Sequence, residues 1–341
     1  MRYPEFLKNG QRIGFIAPSF GAATEPYESR FNSAIKMFSG KGYSIVEGPN
    51  ARASKGIGKS NTPEKCAEEI NDFFINNRSD IIVSCGGGEL MCEDIPFVDF
   101  EKISSAVPKW FIGYSDNTNL TFLLPTLCDT AAIYGPCASD FGMVPLHSSI
   151  CDAMDLLEGK KLSFNNYDGW EKEWPERETD PCAPYNVTEP YSQRIFGGKT
   201  SETFSGRLLG GCLDCLVTLC GTKFDKVKEF NKRYEKDGII WFIEACDLGP
   251  MGIRRALWEL ENAGWFDTAK GFIIGRSLHY AEDFDGFTCY DAYSGILSKK
   301  NVPIIMDIDL GHLSPMLPII CGAKANITAK ENSFNISMEL S

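Results

Sequence analysis

Ser115, Glu244 and His312 are the residues of this chain whose types and settings could together break an acyl bond. Ser115 lies in Phe111-Ile112-Gly113-Tyr114-Ser115-Asp116-Asn117-Thr118. An apolar run from Lys109 to Ile112 breaks at Gly113 and passes at once into a helical pattern of Leu120, Phe122, Leu123, Leu124 and Leu127. A strand that turns sharply into a helix exposes its turn residue beside the helix N-terminus, where backbone N–H groups and the positive dipole end favour developing negative charge. That is the setting a nucleophilic serine needs. Ser and Asp at such a place usually cap helices, and the G-x-S-x-G elbow pattern is broken by Asn117, so the turn by itself favours the cap, and the rest of the chain has to supply a base and an orienting acid.

Glu244 ends Gly238-Ile239-Ile240-Trp241-Phe242-Ile243-Glu244, the strongest strand signal in the chain. A carboxylate there must be paired or hydrogen-bonded, either in a structural ion pair or as the orienter of a histidine. His312 follows Pro303 to Leu310 and Gly311, at the carboxyl end of another apolar strand. In the order Ser115…Glu244…His312, the histidine would take the serine proton while the glutamate holds its tautomer. His147, in the linker beside Pro145, and His279, near a strand end, are rival bases.

The elements that must position these residues alternate. Strands are expected at 13–17, 43–46, 80–85, 109–112 and 131–134, with helices over 26–38 and from Pro63 to about Phe74 between them. Continuous apolar strands separated by helices imply a doubly wound parallel sheet, with ligands at the carboxyl ends of its strands. The triplet Gly86-Gly87-Gly88 follows one such strand. Glycine lets backbone approach a reacting group, so N–H groups of Gly87 or Gly88, with that of Asp116, are candidate oxyanion donors. The triplet fits no phosphate-binding motif. After about residue 206 the expectation is a second, mixed α/β domain, with strands at 238–246, 271–274 and 303–310. It closes on a terminal β-hairpin, where Phe334, Ile336, Met338 and Leu340 alternate after Lys330-Glu331-Asn332. The expected organisation is therefore an N-terminal domain over 1–145, a linker over 146–205 and a C-terminal domain over 206–341.

The 341 residues carry a formal net charge of −12, which argues against nucleic acid or an anionic membrane as the main partner. No apolar run approaches a membrane span, and residues 1–8 lack a signal-peptide core, so export is not expected. Thirteen cysteines, mostly in apolar segments, read as reduced core residues. Cys212-x-x-Cys215 has no second pair and no clustered histidines, which is weak support for a metal. The proline-rich, aperiodic span 146–205 contains Trp170 and Trp174. These either anchor the segment or form a lid that stacks on a planar substrate group.

Gly113-Tyr114-Ser115-Asp116-Asn117-Thr118 resembles the nucleophile motif of the LD-carboxypeptidase family of serine peptidases, which includes the microcin-immunity peptidases. The likeness spans nearly the whole chain. Ile13 to Ser19 resembles the family's first strand, Ser84 to Gly88 its glycine turn, and Gly206 to Leu213 its R-L-x-G-G-N-L segment. Trp241 to Glu244 resembles its glutamate strand, and Gly311-His312 with Pro315, Pro318 and Gly322 its histidine segment. Two departures stand out: Cys212 replaces the family asparagine, and Glu89-Leu90-Met91-Cys92 replaces an aromatic-containing turn. The resemblance implies a triad of Ser115, Glu244 and His312, two α/β domains with the site between them, no cofactor or metal, and a cytoplasmic homodimer. It also implies a small peptide or peptidyl-nucleotide substrate. The extended linker with its tryptophans resembles the immunity branch, which cleaves peptidyl or aminoacyl adenylate analogues. The alternative is release of D-alanine from murein tetrapeptide. Outside catalysis, two α/β domains around a cleft also describe a small-molecule binding protein.

Overall fold

The computed structural model describes every residue except Glu176 and Glu178. The chain divides into two compact units. The first comprises residues 1–161 and 173–186, the second residues 162–172 and 187–341.

In the first unit the strands are β1 (Arg12–Ile16), β2 (Ser44–Glu47), β3 (Ile81–Ser84), β4 (Phe111–Gly113) and β5 (Ala132–Tyr134). They pair in parallel in the order β5-β4-β3-β1-β2. Helices α1 (Tyr27–Gly40), α2 (Pro63–Ile75), α3 (Phe100–Ser105), α4 (Thr118–Cys128) and α5 (Ser148–Leu157) complete the alternation. The central strands carry only apolar or small residues because both faces are covered: Ile81 to Ser84 and Phe111 to Gly113 are buried throughout. Phe15 meets Phe31 edge-on at 5.2 Å and Phe38 at 5.7 Å, so α1 is fixed to β1 by aromatic contacts. Each fully buried phenylalanine contributes about 1.5–3 kcal/mol relative to exposure. Pro63 opens α2 at a position whose N–H has no helical partner, where proline costs nothing.

The second unit is built on a mixed eight-stranded sheet. Its strands are β6 (Ser163–Asn165), β9 (Arg194–Ile195), β10 (Ser201–Cys212), β11 (Ile239–Glu244), β12 (Ala269–Gly275), β15 (Ile304–Ile308), β17 (Lys324–Lys330) and β18 (Ser333–Glu339). The spatial order is β6-β18-β17-β10-β11-β12-β15-β9. Strands β10, β11, β12 and β15 run parallel, and β17 and β18 form the antiparallel terminal hairpin. Two short pairs, β7 (Gly169–Trp170) with β8 (Glu189–Pro190) and β13 (Asp283–Phe284) with β14 (Phe287–Thr288), lie outside this sheet. Ile319–Cys321 forms β16. Helices α6 (Leu213–Leu219), α7 (Val227–Arg233), α8 (Pro250–Asn262) and α9 (Cys289–Leu297) connect the strands. The core centres on Trp241, stacked on Trp265 at 5.7 Å and meeting Phe266 edge-on at 5.2 Å.

The span 146–205 is partitioned rather than forming a single connector. Residues 148–157 are a helix of the first unit with Ile150, Ala153, Met154, Leu156 and Leu157 buried. Residues 163–165 add an edge strand to the second sheet by pairing with β18. Short elements flanked by Pro and Gly carry too few periods to stand out in sequence. No helix among the described residues is long and apolar enough to cross a membrane.

Candidate active site

Ser115 sits where β4 ends. Tyr114 is extended, Ser115 takes φ +63°, and residues 115–117 make a single 3-10 turn that runs into α4. A left-handed non-glycine residue costs on the order of 1–3 kcal/mol, and such strain persists only where the surroundings over-determine it. Here they do. Asn117 Nδ2 donates to the Gly86 carbonyl at 2.8 Å and to the Tyr114 carbonyl at 2.9 Å, bridging the glycine turn to the Ser115 turn. A Cβ on Gly113 would lie 2.8 Å from the Asn117 side chain, so only glycine fits before the turn. The Ser115 N–H donates to the Tyr134 hydroxyl at 3.3 Å.

Beneath the turn, the buried Asp116 carboxylate accepts from Ser19 Oγ at 2.5 Å, from the Met91 N–H at 3.0 Å and from Asn119 Nδ2 at 3.1 Å. Burial pushes its pKa up, and the Ser19 and Met91 donors oppose the rise. Its side chain thus ties the loops after β1 and β3 to the start of α4. Gly87 is the glycine that approaches the serine: a Cβ there would lie 3.1 Å from Ser115 Cβ and 3.2 Å from Oγ. Gly88 has φ +154°, and a Cβ on it would collide with Ser19 Oγ.

In the second unit, Glu244 is fully buried at the end of β11 and accepts from His312 Nδ1, 2.9 Å from Oε2. Two glycines make room for this pair. A Cβ on Gly275 would lie 2.9 Å from Glu244 Cβ, and one on Gly311 would lie 2.6 Å from Glu244 Oε2. Gly311 also needs its φ of +98° to turn the chain from β15 toward His312. Burial alone would lower the His312 pKa. The charge of Glu244, the hydrogen bond the ring donates to it and the neighbouring Cys246 thiol outweigh it and hold the ring well above its ordinary value. The arrangement is a basic imidazole with its Nδ1 committed to a buried carboxylate, as general-base catalysis requires.

The rival histidines have local tasks. His147 Nδ1 accepts from the Ser149 N–H at 3.1 Å and caps α5. His279 Nδ1 pairs with Glu282 Oε1 at 2.7 Å on an exposed turn. Cys212 is buried, its Sγ 3.3 Å from Asp214 Oδ2, and its thiol pKa is raised by a hydrogen bond with Cys215 and by burial. Among the described residues no group of three or more His, Cys, Asp or Glu is placed to hold a metal ion.

The two tryptophans fall in different units. Trp170, in the second, meets Tyr280 edge-on at 5.5 Å, and the Arg276 guanidinium lies 5.2 Å from its ring. Trp174, in the first, is 58% exposed. Reasoning from sequence missed Gly275 and Asn117, whose parts depend on contacts with distant or facing segments. Gly311 could have been flagged, since a glycine directly before a candidate base at a strand end signals an unusual backbone.

Comparison with known proteins defines the class. The LD-carboxypeptidase N-terminal domain model matches residues 13–135 and the LD-carboxypeptidase C-terminal domain model matches residues 205–327. The chain belongs to the LD-carboxypeptidase family and is a serine-type carboxypeptidase, which sets aside the non-catalytic binding protein. Among particular relatives, the microcin self-immunity protein MccF of Escherichia coli is 26% identical, covering 97% of this chain and 94% of that protein. A Bacillus subtilis (strain 168) protein named "Probable murein peptide carboxypeptidase" is 23% identical, covering 97% and 92%. The solved structure of MccF in complex with aspartyl sulfamoyl adenosine shares the fold at a TM-score of 0.81 and 23% identity, covering 99% of this chain and 98% of that one.

Proposed function

We propose that this carboxypeptidase acts through a triad of Ser115, Glu244 and His312. In this reading Ser115 Oγ attacks the scissile carbonyl while His312 accepts its proton at Nε2, the nitrogen that Glu244 does not occupy. The protonated ring then delivers the proton to the leaving group, leaving an acyl group on Ser115. His312 activates a water that hydrolyses it. Backbone N–H groups of Asp116 and of Gly87 or Gly88 stabilise the oxyanion. The observation that carries the reading is the buried 2.9 Å pair of Glu244 with His312 Nδ1, which prepares one imidazole, and not the other two, for base chemistry. The left-handed Ser115 beside Gly87 supports the nucleophile assignment.

For substrate we favour an aminoacyl or peptidyl adenylate analogue, on the likeness to MccF. The alternative is the LD-carboxypeptidase reaction, release of D-alanine from a murein tetrapeptide, on the likeness to the murein-peptide relative. The exposed ring of Trp174 is better suited to stack on a planar base than the packed ring of Trp170. Family likeness also supports a cytoplasmic homodimer.

The test runs two reactions side by side, hydrolysis of an aminoacyl sulfamoyl adenosine and D-alanine release from murein tetrapeptide. Ser115→Ala is expected to abolish whichever reaction the wild type performs, and retained turnover would sink the triad. Trp174→Ala is expected to weaken only the adenylate reaction. Equal rates in Trp174→Ala and wild type would remove the stacking role.

A further inference from the structure

One carboxylate outside the triad reaches into the segment that supports it. Asp214, the second residue of α6, accepts at Oδ1 from the backbone N–H groups of Asp247 at 2.9 Å and Leu248 at 3.1 Å. At Oδ2 it accepts from the Cys246 N–H at 3.0 Å and lies 3.3 Å from Cys212 Sγ. Three consecutive donors on one side chain leave the backbone of residues 246–248 little freedom. This is the loop that follows Glu244, with only Ala245 between them.

The geometry explains how Asp214 comes to lie there. Cys212 ends β10 in register with Glu244 on the parallel neighbour β11. Both strands therefore stop at the same level, and the turn from β10 into α6 lies beside the turn leaving β11. The other side of that turn is held by the Leu278 N–H, which donates to the Ala245 carbonyl at 3.2 Å. The Cys246 thiol acts on the His312 ring, favouring its protonated form, and its Sγ lies 3.8 Å from Asp247 Oδ1 within the clamped loop. Backbone clamp, thiol and imidazole all belong to the second unit, and the clamp begins two residues after Glu244.

We propose that Asp214 is a positioning residue for the catalytic histidine: by fixing the backbone of residues 246–248 it sets the Cys246 side chain against His312 and holds the ring in register with Glu244. The proposal rests on His312 being the base of the reaction. Asp214 touches neither the ring nor the nucleophile. It acts in the manner of outer-shell groups that orient a functional imidazole, whose removal typically costs 10–100-fold. The titratable groups that act on His312 are Glu244 from β11 and Cys246 from the clamped loop.

The experiment compares Asp214→Asn, Cys246→Ala and Ser115→Ala with the wild type. Asp214→Asn keeps the side chain's shape but turns an NH2 group toward backbone donors. It is expected to lower kcat about 10–100-fold with KM nearly unchanged. It is also expected to move the midpoint of the His312 imidazole titration, followed by NMR with His312→Gln assigning the resonance. Cys246→Ala keeps all three backbone bonds and removes the contact on the ring. It should move the same midpoint to lower pH while leaving the thermal transition in place. Should Asp214→Asn fail to fold, an unmoved midpoint in Cys246→Ala still overturns the proposal. A folded Asp214→Asn with wild-type kcat and midpoint, only less stable, overturns it as well. If Ser115→Ala retains turnover, the underlying triad reading fails instead, so the two failures are separable.

Discussion

Glu244 and His312 form a pair whose energetics are set by burial. The carboxylate has no solvent to stabilise its charge, and Nδ1 of the imidazole stands 2.9 Å away. His312 therefore holds its proton more tightly than a free imidazole, in spite of its own burial. In the proposed triad the ring must lose that proton before it can take one from Ser115. Activity should consequently rise with pH through a midpoint above the ordinary value of 6.5. Glu244→Gln should shift that limb to lower pH and reduce kcat by roughly 10³–10⁴-fold, as when a triad loses the carboxylate that orients its histidine. A limb unmoved by this substitution would show that another group titrates. The sign for stability follows from the same pair. A raised folded pKa contributes stability that is complete below 6.5 and is lost as pH climbs through the folded value. At the neighbouring residue, Gly311→Ala would place a Cβ 2.6 Å from Glu244 Oε2 on a backbone with φ +98°. Strain of about 1–3 kcal/mol and a displaced glutamate are expected, with kcat down by about 10²-fold. Steady-state kinetics and a melting curve check both, and a wild-type kcat would mean that Glu244 tolerates the shift.

Among the elements, the decisive one is the turn between β4 and α4. It is held from below by Asp116, which gathers a hydroxyl from the loop after β1, a backbone N–H from the segment after β3 and an amide from α4. Three loops at the carboxyl ends of neighbouring parallel strands are thus tied to one side chain, which is why a strained Ser115 can persist. Asp116→Ala removes the acceptor from the buried Ser19 hydroxyl and Met91 N–H, each costing about 1–3 kcal/mol when left without a partner. Urea unfolding should show a loss of roughly 2–5 kcal/mol. A loss under about 0.5 kcal/mol, typical of a surface site, would show that the loops hold themselves. In the second unit β10, β11, β12 and β15 end side by side, and β11 and β15 deliver Glu244 and His312 at the same edge.

For the whole molecule, each unit has its own aromatic cluster, edge-on and tilted phenylalanines around Phe15 in the first and the stacked Trp241–Trp265 pair in the second. A ligand that binds only the folded chain stabilises it by mass action, about 2.7 kcal/mol at a hundred times its Kd. If the adenylate reading holds, aspartyl sulfamoyl adenosine added to Ser115→Ala should raise the melting temperature by several degrees, and murein tetrapeptide should raise it less. The reverse order of shifts would favour the murein reaction.

Much of this protein is legible along its chain. Apolar runs separated by helical periods announce a parallel sheet, because strands covered on both faces must be apolar throughout. Serine, glutamate and histidine at strand ends, in that order, suggest the proposed triad, and the family motifs around them are local in sequence. The terminal hairpin is legible for the same reason: its alternation is a short-range pattern. What tertiary structure alone decided are relations between distant segments. That Gly275 and Gly311 open the space for Glu244, that Asn117 reaches back to Gly86, and that Asp214 takes three N–H groups from the loop after β11 cannot be read from spacing. Each depends on which strands lie side by side and where each one ends. The partition of residues 146–205 belongs here too, since short elements join a unit by the surface they meet, not by a period of their own.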